Sequence, residues 1–504
     1  MKKNTATNNK EMNEAMNLNT SVKTNRRISR VAAMILSLTL TAAALPQQIC
    51  SAEFYMPEYE IVTEGNLEFC RSTDMEGFNV SCIDKTAESV IVPAEVNGRP
   101  VTELAKEAFS ECKYLKTIEL PDTIKEIGDD AFYGTQWLED RRAEDKLVIV
   151  NGILIDGANA EGDVVIPDTV TVIDDGAFFR NEKILTVQMP DTVTKAGADV
   201  FYECTNLKSV SVSNNLEKIS AWMFARCSSL TSVNIPESVT EIEVGAFNGC
   251  TELEALNIPE TVESIGGFAF ADTRWLNNKV TENPLVVVNG ILIDANEFKG
   301  SSVVIPDGVT TIGGRAFNYC NAVKNITIPS TVKLIDDEAF FGCTSLRTVD
   351  ISDSVEEIGS CAFCNCSGLR NISIPASVKT IGNNVFGNCE ALRRITINNP
   401  ECDIDAGMSA PFGSAIYGHA GSTAEAYAAA EKLSFHTIDE SETNSQDTLT
   451  GDANMDEAVT NADFVTCVLG IINGSSVEGS DCDINADGKV NAADLLLLKN
   501  ILMA

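Results

Sequence analysis

Residues 221–250 read AWMFARCSSLTSVNIPESVTEIEVGAFNGC, and this stretch decides the fold. From Leu230 through Val233 to Ile235, apolar residues alternate with polar ones, so a short strand buries one side. Pro236 ends that strand, because proline cannot donate to a ladder. Val239 and Ile242 supply a second apolar pair, and Ala246-Phe247 sends a ring toward the interior. Phe247 follows Phe224 by 23 residues. The same spacing links Phe109 to Phe132, Phe178 through Phe201 to Phe270, and Phe317 through Phe340 and Phe363 to Phe386. Two gaps of 46 and 47 residues interrupt it, each two periods long, the second with one residue added. Six residues after each of these phenylalanines stands Leu, except for Ile184 and Val323. Eight cysteines stand three residues after it: Cys112, Cys204, Cys227, Cys250, Cys320, Cys343, Cys366 and Cys389. One such coil cannot bury its own apolar face, so the coils must stack into a solenoid. Phe109 and Phe386 are 277 residues apart, which predicts about twelve coil steps between them.

The two long gaps resemble each other. WLEDRRAEDKLVIVNGILIDG starts at Trp137 and WLNNKVTENPLVVVNGILIDA at Trp275, and the NGILID segments start at Asn151 and Asn289, 138 residues apart. A larger unit is duplicated. Trp137 and Trp275 are expected to anchor the packing of irregular coils.

The L-x-x-I-x-I opening, the 23-residue length and the IP-x-[ST]-V-x-x-I-x-x-x-AF-x-x-C-x-x-L pattern resemble the BspA-type leucine-rich repeats of bacterial surface proteins, over residues 88–398. The resemblance implies a leucine-rich-repeat solenoid with a short β-strand per coil, and an association with adhesion to host proteins or other cells. Solenoid ends need caps. Residues 53–87 suit a hairpin cap, and residues 399–438 suit a loop, a short helix from Thr423 and a last strand.

The outward strand residues are small and polar, as in Thr117 and Glu119, Ser209 and Ser211, Ser232 and Asn234, Thr348 and Asp350, and Asn371 and Ser373. No aromatic ladder is expected along this face. The ladder cysteines are read as small buried residues, whose side chains point the same way rather than at each other. So many unpaired thiols in an exported chain point to an anoxic habitat. Two other thiol arrangements stay open: a Cys70–Cys82 disulfide across the cap hairpin, and a metal site at Cys361, Cys364 and Cys366, which lacks a fourth ligand.

The 504 residues carry 37 basic and 73 acidic side chains, a net charge of −36, so a nucleic-acid partner is excluded. Anionic membranes are disfavoured for the same reason. His419 and His436 are the two histidines, which removes histidine triads and histidine-rich zinc sites from the bulk of the chain. Lys2, Lys3, Lys10, Lys23, Arg26, Arg27 and Arg30 precede the apolar run VAAMILSLTLTAAAL at residues 31–45. Residues 1–52 therefore read as a signal peptide and the protein as secreted, without membrane insertion.

After an acidic linker at residues 439–449, two loops repeat a metal-binding spacing over residues 450–504. The first offers Asp452, Asn454, Asp456, Thr460 and Asp463, and the second Asp483, Asn485, Asp487, Asn491 and Asp494. A calcium ion wants six to eight oxygens, and the carbonyls of Ala458 and Lys489 would complete each set, for two Ca²⁺ ions. The last ligand is Asp rather than Glu, and an apolar helix follows each loop. These features look like a type I dockerin. The resemblance implies docking onto a cohesin domain of a scaffold protein in a cellulosome-like complex. By position, the cohesin contacts would be Asn461, Ala462, Val468 and Leu469 in one copy and Ala492, Ala493, Lys499 and Asn500 in the other. Glu457 stands where a glycine normally allows the sharp turn, which weakens the first loop.

The chain thus reads as a non-catalytic, secreted component whose solenoid adheres to a protein, a cell or a plant-fibre surface, or displays itself to host proteins. The competing reading is a dockerin-borne glycoside hydrolase or lyase, whose site would lie in the irregular coils at residues 137–165 or 275–304.

Overall fold

The computed structural model describes residues 61–72, 76–404 and 407–438. The expected solenoid is there, with about 16 turns; the sequence count of twelve ran only from the first ladder phenylalanine to the last. Each regular coil adds a strand to a parallel ladder. Val187, Val210, Val233 and Leu256 face one another in register across four consecutive coils. A second, narrower ladder runs through two-residue strands such as Lys218–Ile219, Glu241–Ile242 and Ser264–Ile265.

Between the ladders the chain makes a wide turn around the phenylalanine. The Phe201, Phe224 and Phe247 rings stack at centroid separations of 5.4 and 5.2 Å. Phe317, Phe340 and Phe363 stack at 5.1 Å each. In the regular coils the ring residue's backbone N–H donates to the next coil, as from Phe224 to Ala246 O at 2.8 Å. The ladder cysteines are buried, as expected, and they also donate hydrogen bonds. The Cys227 thiol lies 3.0 Å from Phe201 O, and the Cys343 thiol 3.0 Å from Phe317 O. The thiol thus adds a second donor to a carbonyl that already accepts a backbone N–H within its own turn, as Phe201 O does from Cys204 N at 3.0 Å. The residues two before and two after the ring adopt the left-handed conformation, among them Trp222 and Arg226 around Phe224. Glycine fits that conformation best, yet most of these positions carry side chains, so the turn is invisible to a search for glycines.

Helices break the strand ladder twice, and its pairing also lapses between Thr348–Ile351 and Asn371–Ile374. Helix α1 (Gln136–Glu144) and helix α2 (Arg274–Glu282) stand where the next coil's strand would pair. Thr135 and Thr273 cap them, each accepting from the Leu three residues on at 3.1 Å. Trp137 and Trp275 are buried and lean on Phe132 and Phe270 at 4.5 and 4.9 Å, the anchoring role expected of them. After each helix a hairpin turns on Asn151-Gly152 or Asn289-Gly290, all at positive φ. That is the Asn-Gly signature of a tight two-residue turn. Its second strand joins the narrow ladder, Ile153 facing Val172 and Ile291 facing Thr311.

The chain has caps at both ends of the ladder. Val62–Glu64, Leu67–Arg71 and Phe78–Cys82 form an antiparallel meander, and Phe78–Cys82 starts the parallel ladder against Arg99–Leu104. Cys70 faces Asn79 and Cys82 faces Leu67, so the two cysteines lie three residues apart along the ladder and on opposite faces. Both thiols are free, and the Cys70–Cys82 disulfide option is withdrawn. At the other end, helix α3 (Thr423–Glu431) begins at the residue expected, with Ser422 accepting from Glu425 N and Glu425 accepting from Gly421 N. Ser434–Thr437 then closes the sheet beside Ala415–Gly418.

Candidate functional site

The strand face is the broad surface that the solenoid leaves to solvent. Along most of its length it carries the small polar residues expected, with Ser232, Asn234, Asn371 and Ser373 exposed. A ladder of side-chain hydrogen bonds runs across it, from Thr348 to Asn325 at 2.8 Å and from Asn325 to Ser302 at 3.0 Å. The edge strands next to the breaks depart from the pattern: Val165 and Val304 are exposed there, as is Ile91 in the first strand of the face.

The expectation of no aromatic ladder fails at the C-terminal end. Tyr417 and His436 sit opposite each other on neighbouring strands, with ring centroids 4.8 Å apart. The Arg394 guanidinium lies 4.0 Å from the Tyr417 centroid. These rings come from the cap, outside the repeat pattern, which is why the repeat consensus did not announce them.

A groove of about 640 Å³ lies between the strand face and α2, lined by Asn234, Glu254, Asn257, Trp275, Lys279 and Glu282. Glu254 is paired to Arg274 at 3.4 Å and Glu282 to Lys279 at 3.6 Å, so the carboxylates are bound to cations rather than to each other. In the first duplicated unit Arg142 grips Asp156, with contacts of 3.1 and 2.6 Å. The second unit has Val280 at the corresponding place. Its Asp294 lacks that cation, and burial pushes it up to about 6.

On the turn side, Asp129, Asp174, Asp175 and Asp199 crowd together from adjacent coils. Burial, reinforced by the Asp175 charge, pushes Asp174 up to about 7. Burial and the Asp175 and Asp129 charges push Asp199 up to about 6. Ala198 N donates to Asp175 at 2.7 Å. Beside this cluster the exposed Phe179 ring stacks on Tyr202 at 5.3 Å, with Arg180 over Phe179 and Arg226 over Tyr202.

The cysteine trio does not converge. The Cys366 thiol points inward to Phe340 O at 3.2 Å, while Cys361 and Cys364 share the Asn384 amide at 3.4 and 3.6 Å. Among the described residues no group of three or more His, Cys, Asp or Glu side chains is placed to hold a metal ion. The calcium ligands Asp452 through Asp494 and the cohesin residues Asn461 through Asn500 lie outside the described residues.

A family model described as BspA type leucine rich repeat region matches in six copies, over residues 87–153, 157–277 and 293–407. A type I dockerin domain matches residues 450–503. Among solved structures the chain is similar to a leucine rich cell surface protein of Faecalibacterium prausnitzii A2-165. They are 25% identical, with 69% of this chain and 94% of that one covered at a TM-score of 0.32. It is also similar to a leucine-rich repeat protein of Bacteroides ovatus ATCC 8483, at 20% identity over 75% of this chain and 100% of that one, with a TM-score of 0.30. No curated protein matches the chain. Type I dockerin domains bind calcium, and their general partner is a cohesin. Both families are typical of extracellular or cell-surface proteins. Among the described residues no helix is long and apolar enough to cross a membrane. The repeat matches span more than half of the sequence, and the chain belongs to the BspA-type leucine-rich repeat family and carries a type I dockerin domain.

Proposed function

We propose that this protein is a secreted, non-catalytic component of a cellulosome-like complex, docked by its dockerin and adhering through its solenoid. The observation that carries the reading is the union in one chain of a dockerin with a repeat solenoid. Its mostly small, polar strand face suits binding by many weak contacts. Two calcium ions are held by Asp452, Asn454, Asp456, Ala458 O, Thr460 and Asp463, and by Asp483, Asn485, Asp487, Lys489 O, Asn491 and Asp494. The cohesin contacts are Asn461, Ala462, Val468 and Leu469, together with Ala492, Ala493, Lys499 and Asn500. One set is apolar where the other carries a charge or an amide, so the two docking orientations are unequal. The domain limits follow: signal peptide to residue 52, caps at 53–87 and 399–438, repeats at 88–398, linker at 439–449 and dockerin from 450.

The test uses the chain from residue 53 to 504 as bait for the producing organism's surface and secreted proteins and its plant-fibre substrate. Elution is with a calcium chelator and then with denaturant. Scaffold proteins are expected in the chelator fraction, and the double variant Asp452→Ala, Asp483→Ala is expected to lose them. Unchanged capture by that variant would refute calcium-dependent docking. The groove beside α2, with Glu254 and Glu282 on its walls, favours a second reading as a polysaccharide-degrading site. Release of new reducing ends from a plant polysaccharide, abolished by Glu254→Gln or Glu282→Gln, would establish it in place of the first.

A further inference from the structure

The two repeat blocks differ along one edge of the strand face. Just before each strand, one residue per coil takes the same place, 23 residues after its predecessor, and neighbours within one sheet are joined by backbone hydrogen bonds. In the second block this column is Lys324, Arg347, Arg370 and Arg393. Arg347 N donates to Lys324 O and Arg393 N to Arg370 O, each at 2.7 Å. In the first block the equivalent column is Leu185, Lys208, Thr231 and Glu254, again stacked through Lys208 N to Leu185 O at 2.8 Å. One column carries four positive charges and the other none net, in a chain where acidic residues outnumber basic ones about two to one.

All four cations of the second column are exposed. Lys324, Arg347 and Arg393 form no ion pair among the described residues. Arg393 is held in place by its own backbone, Nη1 donating to Glu390 O at 2.7 Å and to Leu392 O at 3.0 Å. Past Arg393 the place in register on the next strand is the buried Ser414, while Tyr417 and His436, with Arg394 against Tyr417, stack three residues farther along the strands. Asp350 is the carboxylate within the strands of this stretch.

We propose that this edge of the strand face binds a linear polyuronate, a polysaccharide with one carboxylate on each sugar ring. The proposal rests on the reading of the solenoid as the adhesion module and is independent of docking. Paired strands lie roughly 4.8 Å apart, so Lys324 with Arg347, and Arg370 with Arg393, each offer two cations at about that interval on two successive sheets. A polyuronate repeats its charge once per ring, a comparable step, and guanidinium forks match carboxylates in pairs of hydrogen bonds. The acidic bulk of the protein does not cancel the attraction, because charges more than about 8 Å away are screened at physiological salt. The hydroxyls and amides of Ser373, Asn371 and Asn325 lie beside the column to receive sugar hydroxyls.

The test measures retention of the chain from 53 to 504 on immobilised polygalacturonate, in chelator, so that calcium cannot bridge carboxylates. Polyglutamate and a neutral glucan are the comparison surfaces, and cohesin capture in calcium is read on the same preparation. Retention on polygalacturonate is expected, falling steeply between about 50 and 200 mM salt. The double variant Arg347→Glu, Arg393→Glu is expected to bind at least roughly tenfold more weakly. Lys116→Glu, Lys208→Glu makes the same change in net charge outside the second block and is expected to bind as the parent does. Equal retention on polyglutamate would overturn the glycan assignment in favour of an acidic protein. Retention on the neutral glucan alone, or equal loss in both double variants, would overturn the site while leaving adhesion standing. Retention on none of the three surfaces would overturn the proposal whatever the cohesin arm shows.

Discussion

The repeat block after Asn151 and the block after Asn289 are alike inside and unlike outside. Both stack phenylalanines at about the same spacing, 5.2 to 5.7 Å from Phe178 to Phe270 and 5.1 to 6.1 Å from Phe317 to Phe386. Both bury the thiol that answers the ring's carbonyl. Outside, Asp174-Asp175 in the first block stands where Gly313-Gly314 stands in the second, and a mixed column stands where the second has four cations. The stacking of coils constrains each interior position to one shape, because every ring must fit between two others. A surface position meets only solvent and its two column neighbours, so charge there is free to differ.

The sharpest way to break this comparison is to remove a ring from each block. Phe224→Ala and Phe340→Ala should each cost about 3–5 kcal/mol, since both rings are fully buried between two others. Denaturant midpoints should fall alike; a large difference would mean that the interiors are not equivalent. A smaller effect tests the irregular units. Arg142 and Asp156 keep only 28% and 14% of their side-chain surface exposed, so Arg142→Val should destabilise by about 1–2 kcal/mol. The converse, Val280→Arg, should stabilise the second unit near neutral pH by offering Asp294 a cation. No gain in melting temperature at pH 7 would show that the arginine cannot reach.

The smallest effect concerns pH. Asp174 binds its proton up to about pH 7 in the folded chain, against an ordinary value of 3.8. The folded state therefore holds more protons than the unfolded state between these limits. Its contribution is most favourable below the ordinary value and declines as pH rises to about 7. Asp174→Asn removes the titration, so its advantage should grow from pH 4 to pH 8, reaching on the order of 1 kcal/mol after allowance for solvent screening. The second block has glycine there and should show no such dependence. A variant that tracks the parent's stability at every pH would mean that the Asp174 proton is not linked to folding.

The repeat, the rings, the small outward residues and the C-terminal cap helix were legible because each is local. A 23-residue period fixes which side chains share a column, and Ser422 with Glu425 marks a helix start wherever it occurs. The helices at the breaks are less legible, because the 23-residue period would put a strand there and only the Thr135 and Thr273 caps signal otherwise. The hairpins carry a local signal too, since Asn151-Gly152 and Asn289-Gly290 favour a two-residue turn. The open Cys70–Cys82 pairing resolved against a disulfide through register, which a list of cysteines does not contain.

By itself the sequence determined the solenoid, its period and the presence of a dockerin, because covalent spacing sets them all. Tertiary structure alone decided which charges stand side by side. Lys324, Arg347, Arg370 and Arg393 are ordinary single cations along the chain. The coiling of the solenoid brings residues 23 apart to neighbouring coils, with parallel pairing joining Lys324 to Arg347 and Arg370 to Arg393, and electrostatic attraction depends on distance in space rather than along the backbone.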